Sequence, residues 1–238
     1  LPGYEQSRPV RVGNAAHGQL QLDVFGEVMD ALHQARRGTL HPREADWAFQ
    51  CAVLEHLEGV WDQPDEGIWE VRGGRRHFTY SKVMAWVALD RGIGAVEAFG
   101  LAGPISRWRA LRQRIHDEVC SRGFDPQLGS FVQSFGSKEL DASLLLLPTV
   151  GFLPPTDPRI TGTIEAVEHR LFVDGFLLRY DTTTSEDGLP AGEGAFLACS
   201  FWMVDAYILI GKIDAARRLF ERLLSLRNDV GLLAEEYD

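Results

Sequence analysis

Ala206-Tyr207-Ile208-Leu209-Ile210, followed a few positions later by Arg217-Arg218-Leu219-Phe220-Glu221-Arg222, sets two kinds of helix side by side. The first pentapeptide closes a run from about Gly194 to Ile210 that is apolar nearly all round; the second lies in a run from Ile213 to Leu226 with dense charge. A helix that is apolar on every face must be buried, and one with a single apolar stripe lies at a surface. The same pairing occurs upstream. Pro104 to Ser121 is charged, as in Arg107-Trp108-Arg109-Ala110-Leu111-Arg112, and keeps Ile105, Trp108, Leu111, Ile115 and Val119 on one face. The next run, Asp141 to Leu147, contains Leu144-Leu145-Leu146-Leu147. Buried and exposed helices taking turns predict two concentric layers, an α/α toroid.

Four more runs complete the pattern: Ala15 to Ala35, Pro42 to Val60, Thr79 to Asp90 and Asp157 to Leu171, eight in all. Strand signal is minor, with alternation over Ser130–Phe135 and an extended reading for Phe176–Tyr180. There is no βαβ rhythm, and the fold class is all-α. Up-down connectivity places every second connection on the same rim. The connections entering the first, third, fifth and seventh helices, and the one leaving the eighth, therefore share a face. They are the longest non-helical stretches, and loops on a rigid scaffold are where chemistry tends to sit.

Composition narrows the chemistry. The chain has 238 residues, is 45% apolar and 24% charged, and carries a formal net charge of −10. That balance suits a globular domain with one large core and argues against nucleic acid as a partner, whose phosphates favour a basic face. No run of about twenty apolar residues is present, so no membrane span is expected. Cys51, Cys120 and Cys199 are far apart and odd in number, which fits buried free thiols in a reducing, cytoplasmic compartment. The seven histidines show no metal-ligand spacing. No glycine loop is placed to cradle a phosphate, and neither a metal nor a cofactor is expected.

Two rim segments resist explanation as packing. Asp62-Gln63-Pro64-Asp65-Glu66-Gly67-Ile68-Trp69-Glu70-Val71-Arg72-Gly73-Gly74 crowds carboxylates, a tryptophan and an arginine into a Gly- and Pro-rich loop. The chain then finishes Gly231-Leu232-Leu233-Ala234-Glu235-Glu236-Tyr237-Asp238, again carboxylates beside an aromatic after a helix. The first loop alone reads equally well as an acidic solvated turn around one buried tryptophan. The topology puts both segments on one rim.

Together these segments resemble the two catalytic segments of glycoside hydrolase family 15, the glucoamylase-type enzymes. The resemblance extends to Leu1-Pro2-Gly3-Tyr4, Gly13-Asn14-Ala15-Ala16, Gln19-Leu20-Gln21-Leu22-Asp23 and His77-Phe78-Thr79. It implies that Glu70, after Trp69, is a general acid and Glu235 a general base in an inverting hydrolysis of α-glucosides. A substrate of α-glucans or malto-oligosaccharides cleaved from the nonreducing end is the leading expectation, with trehalose the alternative within the family. The resemblance also implies that Arg179 and Tyr180 contact the nonreducing-end sugar. Trp69, Gln21, Asp23, Glu66, Glu236 and Tyr237 complete the expected substrate-binding set, with Glu66 and Glu236 otherwise holding their loops. Trp61, Trp86 and Trp202 read as core. Family members carry a ring of twelve helices, and bacterial ones an N-terminal β-sandwich. Residues 1–238 are thus expected to be part of a toroid, about eight of twelve helices, with the sandwich and first helices upstream and the rest of the polypeptide needed to close the ring. Two other classes stay open: a sugar isomerase or lyase on the same scaffold, with His77 the rim histidine, and a non-catalytic carbohydrate-binding toroid.

Overall fold

Helix α3, Thr79–Phe99, is the one the others are laid on, and every residue from Thr79 to Leu89 is buried. The computed structural model describes residues 15–38, 44–181 and 194–237, with Gln6, Arg8 and Gly13; the expected Leu1–Tyr4 motif lies outside them. In chain order the helices are α1 (Asp23–Gly38), α2 (Glu44–Val60), α3, α4 (Ile105–Arg122), α5 (Pro158–Leu171), α6 (Leu197–Leu209) and α7 (Ile213–Leu224). Three antiparallel pairs of two-residue strands are the only strands among the described residues: β1 (Phe124–Asp125) with β2 (Ser130–Phe131), β3 (Phe172–Val173) with β4 (Phe176–Leu177), and β5 (Ala195–Phe196) with β6 (Glu236–Tyr237).

The layering follows the expected alternation. α3 packs against α1, α2 and α4, and α6 against α7 and the turn Ala142–Leu146. α4 contributes only Trp108, Ile115 and Val119 to the interior, and α7 only Ala216, Leu219 and Leu223. Both are single-striped outer helices. α1 reaches α3 at Gly26, where a Cβ would stand 2.3 Å from the Met84 carbonyl oxygen. No other residue permits that approach.

Three boundaries differ from the sequence reading. α1 starts at Asp23 and not near Ala15, because the Leu20 and Leu22 backbone bonds the acidic loop; Ala15–Gly18 is a separate 3-10 turn. α3 continues past Asp90 through Gly92, whose missing side chain leaves room for Leu54, and ends at Gly100, left-handed with φ +69 and its N–H on the Val96 carbonyl. The run at Asp141–Leu147 is a 3-10 turn, Ala142–Leu146, opened by the Asp141 carboxylate accepting from the Ser143 N–H. The extended segments are also shorter than expected, Ser130–Phe131 and Phe176–Leu177. Asp174-Gly175, both at positive φ (+51 and +86), turns β3 into β4 in the two-residue form that Asp-Gly favours.

Apolar side chains stay exposed at both ends of this helix array. Val24 and Val28 of α1 are 43% and 36% accessible, and Ile213 and Phe220 of α7 are 49% and 42% accessible. Cys199 is buried, Cys51 and Cys120 are half-buried, and all three are free thiols.

Candidate active site

The acidic loop is held from below and from the side before it presents anything. Lys82 of α3 is 1% exposed, and its ammonium donates to the carbonyls of Trp61 (2.7 Å) and Gln63 (2.5 Å). Burial lowers this lysine to about 8, while Asp65 and Asp62 work to keep it charged. Asp65, fully buried, accepts from the N–H groups of Leu22 (3.1 Å) and Gly67 (3.2 Å). Its backbone pairs with Arg76 in both directions. Glu66 accepts from the Leu20 N–H through Oε2 (2.7 Å) and from Arg75 through Oε1 (2.9 Å). Both Glu66 oxygens thus serve the loop, the structural role open to it.

Glu70 follows at the tip. It is exposed and sits at φ +53, a left-handed conformation that costs a non-glycine residue on the order of 1–2 kcal/mol. Surrounding contacts must hold it there. Gln21 Nε2 donates to Glu70 Oε1 (3.3 Å), so this glutamine faces the candidate acid. Trp69 does not shield the neighbouring carboxyl. The indole is drawn away by Asp141, donating to both of its oxygens (3.1 and 2.9 Å), and its ring packs on Phe196 (5.6 Å), Trp202 (5.8 Å) and Tyr180 (6.2 Å).

Asp141 is the residue the sequence reading missed. It is buried and also accepts from Gln133 Nε2 (3.0 Å) and the Ser143 N–H (2.8 Å). Burial pushes its carboxyl up, and the donors from Ser143, Gln133 and Trp69 oppose that. All three of these partners donate to it. Its backbone bridges Tyr180, and the Ala142 N–H bonds the Arg179 carbonyl (2.8 Å), so one turn carries both Trp69 and the Arg179-Tyr180 segment. The Arg179 guanidinium lies 5.0 Å from the Tyr180 ring centre and 5.8 Å from that of Trp69. Trp202, read from sequence as core, is half-buried against Trp69.

The C-terminal segment arrives from the far end of the chain. Phe196 pairs with Glu236 and Ala195 with Tyr237, and the Leu197 N–H donates to the Glu235 carbonyl (3.0 Å). The Phe196 ring packs on Trp69, so this short ladder ties the Glu235-Glu236 segment to a neighbour of Trp69. Glu235 and Glu236 are exposed, and Tyr237 packs on Phe176 (4.9 Å). Asp23, at the foot of α1, is 5% exposed, and its Oδ1 is buried without a partner among the described residues. Burial pushes its carboxyl up to about 7, with Asp65, Glu27 and Glu70 adding repulsion. His77 instead packs flat on Phe135, ring centres 6.0 Å apart. Among the described residues no group of three or more His, Cys, Asp or Glu is placed to hold a metal ion, and no helix is long and apolar enough to cross a membrane.

A profile described as Glycosyl hydrolases family 15 matches residues 1–238. Over 236 residues the chain is 41% identical to a trehalase of Thermoplasma acidophilum, covering 99% of this chain and 40% of that one. It is 43% identical over 238 residues to a trehalase of Mycobacterium tuberculosis, covering 100% of this chain and 35% of the relative. The chain therefore spans about two fifths of the curated relatives it matches. Among solved structures, a wild-type glycosidase superposes with a TM-score of 0.80 at 22% identity, over 95% of this chain and 59% of that one. A glucoamylase from Saccharomycopsis fibuligera superposes at 0.61 and 12% identity, over 82% of this chain and 48% of its own. The structural likeness makes the helix array a segment of an α/α toroid, and the full-length profile match with relatives above 40% identity gives the lineage: the chain belongs to glycoside hydrolase family 15.

Proposed function

We propose that this chain carries the two catalytic carboxylates of an inverting α-glucoside hydrolase whose substrate is trehalose. The observation that supports the pair is the β5–β6 ladder, which seats the Glu235-Glu236-Tyr237 segment against Phe196 and, through that ring, against Trp69 beside Glu70. Two carboxyl groups flanking one glycosidic bond are sufficient equipment for its hydrolysis. The relatives' names favour trehalose over the malto-oligosaccharides that lead the sequence reading. In this reading Glu70 gives its proton to the bridging oxygen as the C1–O bond breaks, and one glucose leaves as a neutral alcohol. A water adds to C1 from the opposite face and yields its proton to Glu235. Glu70 finishes ionised and Glu235 protonated, and exchange with solvent resets both.

The remaining residues hold the sugar. Asp23 offers its unpartnered Oδ1 to a hydroxyl, which would relieve an orphaned buried acceptor. Arg179 lies over the Tyr180 and Trp69 rings, where a guanidinium can donate to sugar hydroxyls, and Tyr237 borders the same rim. The test is steady-state kinetics of the full-length protein on trehalose, maltose and maltotriose. Glu70→Gln and Glu235→Gln should each lower kcat on trehalose by about 10²-fold or more, with much smaller changes in KM, because acid–base assistance acts in the transition state. Near-native turnover by either variant removes that residue from its role. Preference for maltotriose over trehalose overturns the substrate assignment while leaving the carboxylates in place.

A further inference from the structure

Residues Gln19 to Leu22 lie beside the acidic loop, and their hydrogen bonds sort them by function. Leu20 and Leu22 face the loop's frame: the Leu20 N–H donates to Glu66 and its carbonyl accepts from the Glu66 N–H, while the Leu22 N–H donates to Asp65. Gln19 and Gln21 both reach Glu70. Gln19 Nε2 donates to the carbonyls of Glu70 (3.2 Å) and Val71 (3.4 Å). Gln21 Nε2 donates to Gln19 Oε1 (3.3 Å) and to Glu70 Oε1 (3.3 Å). A carbonyl oxygen can only accept, so the two backbone carbonyls orient the Gln19 amide with its NH₂ toward the loop and its oxygen toward Gln21. That oxygen in turn forces the Gln21 NH₂, and not its oxygen, to face Glu70. The chain of donors ends on one oxygen of one carboxyl.

We propose that Gln19 and Gln21 are a positioning pair for the general acid, holding Glu70 in its left-handed turn and directing its proton to Oε2. An oxygen that already accepts an amide N–H is the poorer place for a proton, and the other oxygen is left to deliver it. Glu70 is strained and exposed, and the Gln21 amide holds its carboxyl while the Gln19 amide holds its backbone. The proposal rests on Glu70 being the acid, and it moves Gln21 from the expected sugar contacts to the acid itself.

The experiment separates a lost proton donor from lost sugar binding. Gln19→Leu and Gln21→Leu are assayed in the full-length enzyme on trehalose and on α-glucosyl fluoride, whose leaving group departs without a proton. The expected result is a fall in kcat on trehalose of about tenfold or more, with KM changed little and fluoride turnover within about threefold of the parent. Equal losses on both substrates, a rise in KM with kcat unchanged, or no loss on trehalose would each overturn the pair. Glu70→Gln run alongside distinguishes the two levels. If it spares the fluoride while Gln21→Leu does not, only the positioning role fails. If it loses both substrates alike, the acid assignment itself fails. Circular dichroism accompanies each variant, and Gln21→Met, which keeps the length and removes the donor, decides the matter if Gln21→Leu does not fold.

Discussion

Asp23 shows how much a single residue here is shaped by its surroundings. Its ordinary value is 3.8, and burial carries it to about 7 in the folded chain. Below pH 3.8 the carboxyl is neutral whether the chain is folded or not. As pH rises the unfolded chain ionises first, so stability held by the neutral buried form is lost on the way up to about pH 7. Asp23→Asn, neutral at every pH, should therefore match the parent near pH 4 and be the more stable protein at pH 8. The gain should be on the order of 1.4 kcal/mol for each pH unit of that window. Chemical denaturation at the two pH values checks this, and a pH-independent difference would contradict it. Single residues were also where the sequence was most and least legible. Glu70 and Glu235 stand out because carboxylates beside aromatics in Gly-rich segments serve no packing purpose. Asp141 does not, since one carboxylate ahead of a leucine run reads as a helix start; its link to Trp69 exists only because the indole turns inward. Gln19 was hidden for the same reason, as its partner lies 51 positions away.

Elements were legible where their apolar period was strong and misread where tertiary contacts override it. The charged outer helices α4 and α7 and the buried α6 follow their patterns. The leucine run closes into a 3-10 turn because Asp141 caps it at Ser143 and ties it to Arg179, which no period reports. The start of α1 moves to Asp23 because Gln19–Leu22 bonds the acidic loop instead of itself. That loop depends on α3 through Lys82, whose ammonium fills the acceptors of Trp61 and Gln63. Lys82→Met keeps the length of the side chain and removes both donors, leaving the Trp61 carbonyl buried and unpaired. The expected cost is on the order of 2–3 kcal/mol, read as a lower denaturation midpoint, together with a fall in kcat on trehalose as the loop carrying Glu70 loses its anchor. Unchanged stability and turnover would show that the loop is held by Asp65 and Glu66 alone.

For the whole molecule, the rim argument was the part of the site legible without any motif. Antiparallel helices are expected to bring alternate loops to one face, and the segments near 19–22, 65–71, 179–180 and 235–237 are linked in series by the Gln21–Glu70, Trp69–Tyr180 and Trp69–Phe196 contacts and the β5–β6 ladder. The exposed Val24 and Val28 at one end and Ile213 and Phe220 at the other mark faces that we propose are covered by the rest of the polypeptide, consistent with the greater length of the relatives. The central claim is that two carboxylates on this rim hydrolyse trehalose with inversion, and the anomers released test it most directly. Proton NMR of the full-length enzyme in the first moments of trehalose cleavage should show β-glucose and α-glucose appearing in equal amounts. The β anomer comes from the ring that water attacks and the α anomer from the ring that leaves. Release of α-glucose alone would mean retention through a covalent intermediate and would contradict the account.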